Sequence, residues 1–345
     1  MTDKATEDRK GDHIRIVLDE DVAAKGVRTG FASLRFRHRA LPELDLREID
    51  TSTTLWGKTL KAPLLISSMT GGAERSRQIN EDLARAAEQL GVAMGVGSQR
   101  AALQNSELAR TYQVRQFAPH ALLLANIGAV QLNYGFGIDE CRRAVEMIEA
   151  DALILHLNAL QEAVQPEGDT NFKGLLAKIE QVCRQIEVPV VVKEVGNGIG
   201  VEDARRLVGV GVSAIDVAGA GGTSWSEVER YRQGQARGQR VAATFAGWGV
   251  PTVQAIAEVR AAFPDLPLIG SGGIRSGLDV AKAIALGADL AGSAAPHLAS
   301  AVEGDGAQGV MDGLQAYIDE LRITMFCVGA ANLAALRATP LETAA

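Results

Sequence analysis

The chain has 345 residues, with 35 Lys+Arg against 42 Asp+Glu for a net charge of −7, and is 47% hydrophobic and 22% charged, the make-up of soluble globular material. An acidic chain with 4% aromatics and no block of five like charges lacks the electrostatic footprint and stacking surfaces of nucleic-acid binding. No uncharged apolar run approaches the roughly 18–20 residues that span a bilayer, and the polar start has no signal-peptide core, so a cytoplasmic protein without nucleic-acid or membrane partners is expected.

Residues 1–61 read as an N-terminal extension. Within it RKGDH places Arg9, Lys10 and His13 in a segment expected to be a flexible tail, meaningful only if it folds over an anionic substrate. From Ala62 onward short apolar runs alternate with longer amphipathic segments. The runs are APLLISS, GVAMGVG, ALLLANI, DALILHL, VPVVVKEV, SAIDVAG, LPLIGSG and ADLAGSA, with cores beginning near residues 64, 92, 121, 152, 189, 213, 266 and 288. Each is apolar on both faces, as a parallel strand buried between a core and covering helices would be.

Eight strand-plus-helix steps predict an α/β fold, a (β/α)8 TIM barrel over 62–322. A doubly wound sheet would need a reversal of strand order, which eight similar units do not announce. The widest gap, between the sixth and seventh runs, marks an insertion at 219–248, glycine-rich and polar, expected as a partly mobile loop. Ser276 with Asp279 opens the helix after the seventh run and Gly287 closes it. Residues 323–345 read as a C-terminal tail. Cys141, Cys183 and Cys327 fall in apolar helical patterns without a CxxC pair and read as structural thiols.

In a barrel of this kind the site is built from the loops after the strands. Those ends are SSMTGG (67–72), GSQR (97–100), NIGA (126–129), HLNALQE (156–162), KE (193–194), AGAGGTS (218–224), GSGGIRSG (270–277) and GSAAP (292–296). The last two supply the glycines, the cation Arg275 and a helix start for a phosphate site between the seventh and eighth loops; the alternative is a tight turn that needs glycine only for its backbone.

Lys193 ends a buried strand, where an ammonium needs an anionic partner: a Schiff-base carbonyl, a substrate anion or the N1/O2 edge of a flavin. A structural ion pair with Glu194 is the alternative, weakened because adjacent strand residues point to opposite faces. Glu162, with Asp169 further along, suits Mg2+, which keeps waters and borrows phosphate oxygens. HExxH, GxSxG and CxxC are absent, WGKT lacks the first glycine of a P-loop, and GDGAQG (304–309) follows a helical segment instead of a strand.

RKxxH, SSMTGG, GSQR, HLNALQE, VKE, GGTSW and SGGIRSG, in this order from Arg9 to about Pro296, resemble the FMN-dependent type 2 isopentenyl-diphosphate isomerases. SGGIR is shared by many flavin barrels, whereas HLNxxQE together with RKxxH and SQR is specific. The resemblance implies FMN contacts from Ser68, Met69, Thr70, Ser98, Asn126, Lys193, Thr223, Gly272, Gly273, Arg275, Ala294 and Ala295. It implies substrate contacts from Arg9, Lys10, His13, Ser98, Gln99, Arg100, His156, Asn158 and Gln161, with Glu162 holding Mg2+ against the diphosphate.

The reaction implied is a 1,3-allylic proton shift between isopentenyl and dimethylallyl diphosphate, without net redox change, with reduced FMN as the acid–base catalyst and NADPH as reductant. Gln161, Lys193 and His156 are the catalytic residues so implied, Lys193 stabilising negative charge near N1 of the flavin and Gln161 either positioning the alkene or relaying a proton. The family commonly forms tetramers or octamers, so a homo-oligomer is expected. Two rivals share the scaffold. A 2-hydroxy-acid oxidase would need a histidine base and arginine clamps after strand six, where the sequence has no histidine and no arginine before Arg230. A non-catalytic flavin-binding protein would need neither RKGDH nor HLNALQE.

Overall fold

A computed structural model describes residues 3–343, with side chains described from Gly11 onward. Eight parallel strands close into a barrel, each beside the next in sequence and the eighth beside the first. They are β1 Leu64–Ile66, β2 Ala93–Gly95, β3 Leu123–Gly128, β4 Ala152–His156, β5 Val190–Lys193, β6 Ala214–Asp216, β7 Leu268–Ser271 and β8 Leu290–Ser293. The doubly wound alternative is thereby excluded.

Side-chain alternation sorts these strands into two cores. Leu65, Ala93, Leu124, Ile154, Val191, Ala214, Ile269 and Leu290 point inward and pack together with Leu55 and Leu60. The latter two come from the hairpin Thr53–Leu55/Lys58–Leu60, which precedes β1 and closes the N-terminal end of the barrel. Intervening residues such as Ile66, Met94, Leu155, Val192 and Ile215 face the helix layer. Burying a large aliphatic side chain on either face contributes roughly 1.5–3 kcal/mol, which is why both faces are apolar.

Two residues beyond the inward apolar layer, the same alternation brings up Ser67, Gly95, Asn126, His156, Lys193, Asp216, Ser271 and Gly292. The barrel is thus an apolar plug at one end and a polar, glycine-containing floor at the other.

Helices cover the outside, among them α2 Glu74–Leu90, α3 Arg100–Gln104, α4 Ile138–Ile148, α5 Ala159–Val164, α6 Leu175–Gln185 and α7 Val201–Gly209. Ser276 accepts from the Asp279 N–H at 3.1 Å to open α11 Gly277–Ala285, and Gly287 at φ +108° follows its end, as the sequence indicates. Cys141 and Cys183 lie in α4 and α6 and Cys327 in α13 Gly306–Val328, all as free thiols. Burial pushes the Cys141 thiol up to about 12.

Three expectations are corrected. The 219–248 insertion holds two helices, α8 Trp225–Arg232 and α9 Ala236–Thr244, tied together where the Ser226 hydroxyl donates to the Ala242 carbonyl. RKGDH lies in helix α1 Asp3–Asp19, which packs Ile16 against Val228 of α8. The boundary at 322 falls inside α13, and the chain beyond it returns to the N-terminal extension, strand Leu341–Thr343 pairing antiparallel with Leu34–Phe36. The extension is short, but the helix layer gives it apolar surface to cover, so it folds as part of the barrel. Among the described residues no helix is long and apolar enough to cross a membrane.

Candidate active site at the carboxyl end of the barrel

The loops after the strands surround a cavity of about 810 Å3, within the range of small-molecule sites. Its floor is the polar layer, its rim the eight loops, and part of its roof is α1, which contributes His13, Ile14 and Val17.

One lobe lies between the seventh and eighth loops. Gly272 (φ +106°) and Gly273 (φ +74°) take backbone that side chains rarely adopt, and a Cβ on Gly222 would sit 2.5 Å from the Gly273 nitrogen. Glycine here therefore brings two backbones together, beyond what a turn needs. Arg275 and the start of α12 Ala295–Glu303, whose N-cap Ala294 has no side chain to cap with, complete an anion cup.

On the floor Lys193 Nζ donates to the Glu194 carbonyl at 2.6 Å and lies 3.6 Å from Asp216 Oδ2. The ion pair with Glu194 does not form. The Glu194 carboxylate instead accepts the N–H groups of Val195, Gly196 and Asn197, and burial still raises its pKa. Asp216, which nothing in the sequence singles out, is paired in register with Lys193, and its Oδ1 accepts from the Ser271 hydroxyl at 2.5 Å.

The other lobe carries HLNALQE. His156 Nδ1 pairs with Asn126 Oδ1 at 2.8 Å. Asn158 donates to Gln161 Oε1 at 3.1 Å and to Glu162 Oε1 at 2.8 Å, and Glu162 Oε2 accepts from Gln165 and from the Asp169 N–H. Asp169 is held by Arg100 at 2.6 Å and by Gln131 at 2.9 Å.

A second unforeseen residue, Glu229 on α8, ties this lobe to the N-terminal helix. Its Oε1 accepts from Gln161 and from His13 Nε2, both at 3.1 Å, and its Oε2 pairs with Arg232 at 2.6 Å. Burial alone would raise the Glu229 carboxyl, but His13, Arg232 and Gln161 outweigh it and hold the pKa down to about 2. The Glu229–Arg232 spacing of three on a helix is a visible pattern, but in sequence it reads as an ordinary surface pair.

Among the residues anticipated, Ser68, Met69, Thr70, Ser98, Asn126, Lys193, Thr223, Gly272, Gly273, Arg275, Ala294 and Ala295 all line the cavity, as do His13, Arg100, His156, Asn158, Gln161 and Glu162. Gln99 does not. It is fully buried behind β3, donating to the Ala144 carbonyl at 2.8 Å and accepting from the Asn126 N–H at 2.8 Å, so it braces Asn126 and reaches no ligand. The side chains of Arg9 and Lys10 lie outside the described residues.

The cavity suits a flavin mononucleotide: an anion cup at one end, a lysine on the floor, and the buried hydroxyls of Ser67 and Ser68 with no partner among the described residues.

The family model for FMN-dependent dehydrogenases matches residues 3–120 and 147–343. A protein of Synechocystis sp. named isopentenyl-diphosphate delta-isomerase is 58% identical over 337 residues, covering 98% of this chain and 96% of its own length. The chain belongs to the FMN-dependent isopentenyl-diphosphate delta-isomerases. A second member, from Stutzerimonas stutzeri, is 56% identical over 98% of this chain and 97% of its own. Among solved structures, a mandelate oxidase variant with a monooxide FMN adduct superposes with TM-score 0.68 at 21% identity, covering 99% of both chains. Mandelate oxidase with (S)-2-phenylpropionate does so with TM-score 0.68 at 22% identity, covering 99% of this chain and 98% of that one. Those likenesses establish the barrel alone. The first arginines after strand six in this isomerase-family chain pair with carboxylates, Arg230 with Glu227 and Arg232 with Glu229 and Glu167, and neither lines the cavity.

Proposed function

We propose that the enzyme interconverts isopentenyl diphosphate and dimethylallyl diphosphate by a 1,3-allylic proton shift. The observation that carries the reading is one cavity with two anion-seeking ends: the glycine cup with Arg275, and the lobe where His13, Arg100 and Glu162 meet Gln161. A flavin phosphate fits the first and a diphosphate with Mg2+ the second. When bound, reduced FMN would supply the acid–base group that no side-chain pair here provides.

Asp216 and the Glu194 carbonyl keep the Lys193 ammonium on the cavity floor, where it would stabilise negative charge on a bound flavin. Arg100 and His13, with Arg9 and Lys10 of α1, neutralise the diphosphate. Glu162 is a carboxylate already oriented by Asn158, Gln165 and the Asp169 N–H, with one lone-pair position left on Oε1 for Mg2+, which takes one or two carboxylates and completes its shell with phosphate oxygens and water. The amide of Gln161 is locked by Asn158 and Glu229 and so presents one edge to the allylic carbons, orienting the alkene or passing a proton. His156, fixed through Nδ1 by Asn126, borders the same space. NADPH as reductant and a homo-oligomer belong to the same reading on the strength of the resemblance, and a cytoplasmic setting on the polar start of the sequence and its lack of a membrane-spanning run.

The test is anaerobic incubation with FMN, Mg2+, NADPH and isopentenyl diphosphate, following dimethylallyl diphosphate, with oxidised flavin as control. Product only with reduced flavin is the expected result. FMN binding without turnover would leave the barrel and the cup but remove the substrate assignments.

A further inference from the structure

Behind the glycine cup lies a layer of polar atoms that the reaction does not use. On β8 the inward positions are Leu290 and Gly292, so alternation turns Ser293 outward, toward the helix layer. Its hydroxyl donates to the carbonyl of Ile274, in the seventh loop, at 3.0 Å, and Ser293 and Ile274 both form part of the cavity wall.

Tyr317 of α13 brings its phenol to the same spot. The residue is 8% exposed; a Cβ on Gly277, at the start of α11, would sit 2.1 Å from its carbonyl oxygen, and its ring lies 5.5 Å from that of His297 in the first turn of α12, so Tyr317 stands behind the two helix starts that border the cup. The Ser293 hydroxyl is close enough to act on the ionisation of the phenol, yet no hydrogen bond joins the two, and the phenol oxygen has no partner among the described residues. His297 of α12, whose ring lies 5.5 Å from that of Tyr317, is in the same condition at Nδ1. Burial pushes the phenol up to about 12, so it stays a proton donor throughout the neutral range. Buried hydroxyls are ordinarily satisfied, and a phenol left open here is placed to take the Ser293 oxygen as its acceptor once that hydroxyl turns its own hydrogen toward a bound anion.

We infer that Ser293 and Tyr317 form a two-hydroxyl relay completing the flavin phosphate site, Ser293 turning its hydrogen from the Ile274 carbonyl to a phosphate oxygen while the phenol donates to the Ser293 oxygen. The inference rests on the flavin reading of the cavity. Tyr317 is then a positioning residue that touches the cofactor only through Ser293.

The experiment titrates the apoprotein with FMN and with riboflavin, which lacks the phosphate, following flavin fluorescence in wild type, Ser293→Ala, Tyr317→Phe and the double variant. Each single change is expected to weaken FMN about three- to tenfold while riboflavin affinity stays within about twofold. The double variant should bind FMN no worse than Ser293→Ala, because the phenol acts through that hydroxyl. Apo Tyr317→Phe should melt no lower than wild type, since the change deletes only an unsatisfied group. Parallel losses for FMN and riboflavin, or unchanged FMN affinity in Tyr317→Phe, would overturn the relay. Ser293→Ala tests it alone should the tyrosine variant not fold. A wild-type protein that binds neither compound would bring down the flavin reading, and the relay with it.

Discussion

Lys193 and Asp216 face each other across β5 and β6, Nζ 3.6 Å from Oδ2, with both side chains almost wholly removed from solvent. Alternation alone puts them there: Val191 and Ala214, two residues earlier, point into the same apolar interior. Removing one partner from such a pair strands a buried charge, at a cost of about 3–5 kcal/mol. Asp216→Ala should lose stability of that order in urea unfolding. Adding Lys193→Met should recover part of the loss, because no orphaned ammonium remains; a double variant less stable than Asp216→Ala would show that the two charges are not coupled.

Gln161 is held between Asn158 and Glu229, so its amide has one orientation. Gln161→Ala should lower turnover about 10²-fold, the scale of a misplaced reacting group, without changing FMN content. Full turnover in this variant would exclude both an orienting and a proton-relaying role.

The depressed pKa of Glu229 makes the joint between α1, α5 and α8 acid-sensitive. A carboxyl whose folded pKa is about 2, against roughly 4.3 unfolded, contributes stability above the unfolded value and loses it as the pH falls through the folded one, on the order of 3 kcal/mol in all. Glu229→Gln should flatten the stability–pH curve between about pH 4.3 and 2 and weaken the docking of α1, read as faster hydrogen exchange around His13. A curve of unchanged slope would refute this account.

His297 acts at higher pH. Burial depresses its pKa to about 4 from the ordinary 6.5, so the folded state holds it neutral while the unfolded chain takes up a proton. The stability it permits is complete above 6.5 and lost as the pH falls toward 4. Replacing His297 by Leu should remove that part of the acid limb, seen as a smaller fall in melting temperature between neutral pH and about pH 4.

The cup depends on bare backbone. Gly222→Ala would set a Cβ 2.5 Å from the Gly273 nitrogen, with backbone and not a flexible side chain in the way. The two loops must separate, and the purified variant is expected to carry little FMN. Wild-type flavin content in Gly222→Ala would show that the loops part without opening the cup.

Much of this molecule was legible before any tertiary structure. Eight doubly apolar runs could be buried only between a core and a helix layer, and the residues after them, glycine, serine, asparagine, histidine and lysine, are those a polar floor requires. HLNALQE and SGGIRSG carried their chemistry in short spacings, because one loop after one strand presents each. What sequence could not supply was pairing between distant elements. Asp216 looked like one acid among 42 Asp+Glu, and only strand register made it the partner of Lys193. Glu229 looked like a helix-surface residue until α1 and α5 closed over it. Gln99 sat in the right motif, yet the turn into α3 sends its side chain behind β3. Local propensity and periodicity are properties of neighbouring residues, and so the sequence determined the strands, the loops and the kind of chemistry at their ends. Which buried charges meet depends on contacts between residues far apart in the chain, and those were decided by the closed barrel and by the N-terminal helix packed across its mouth.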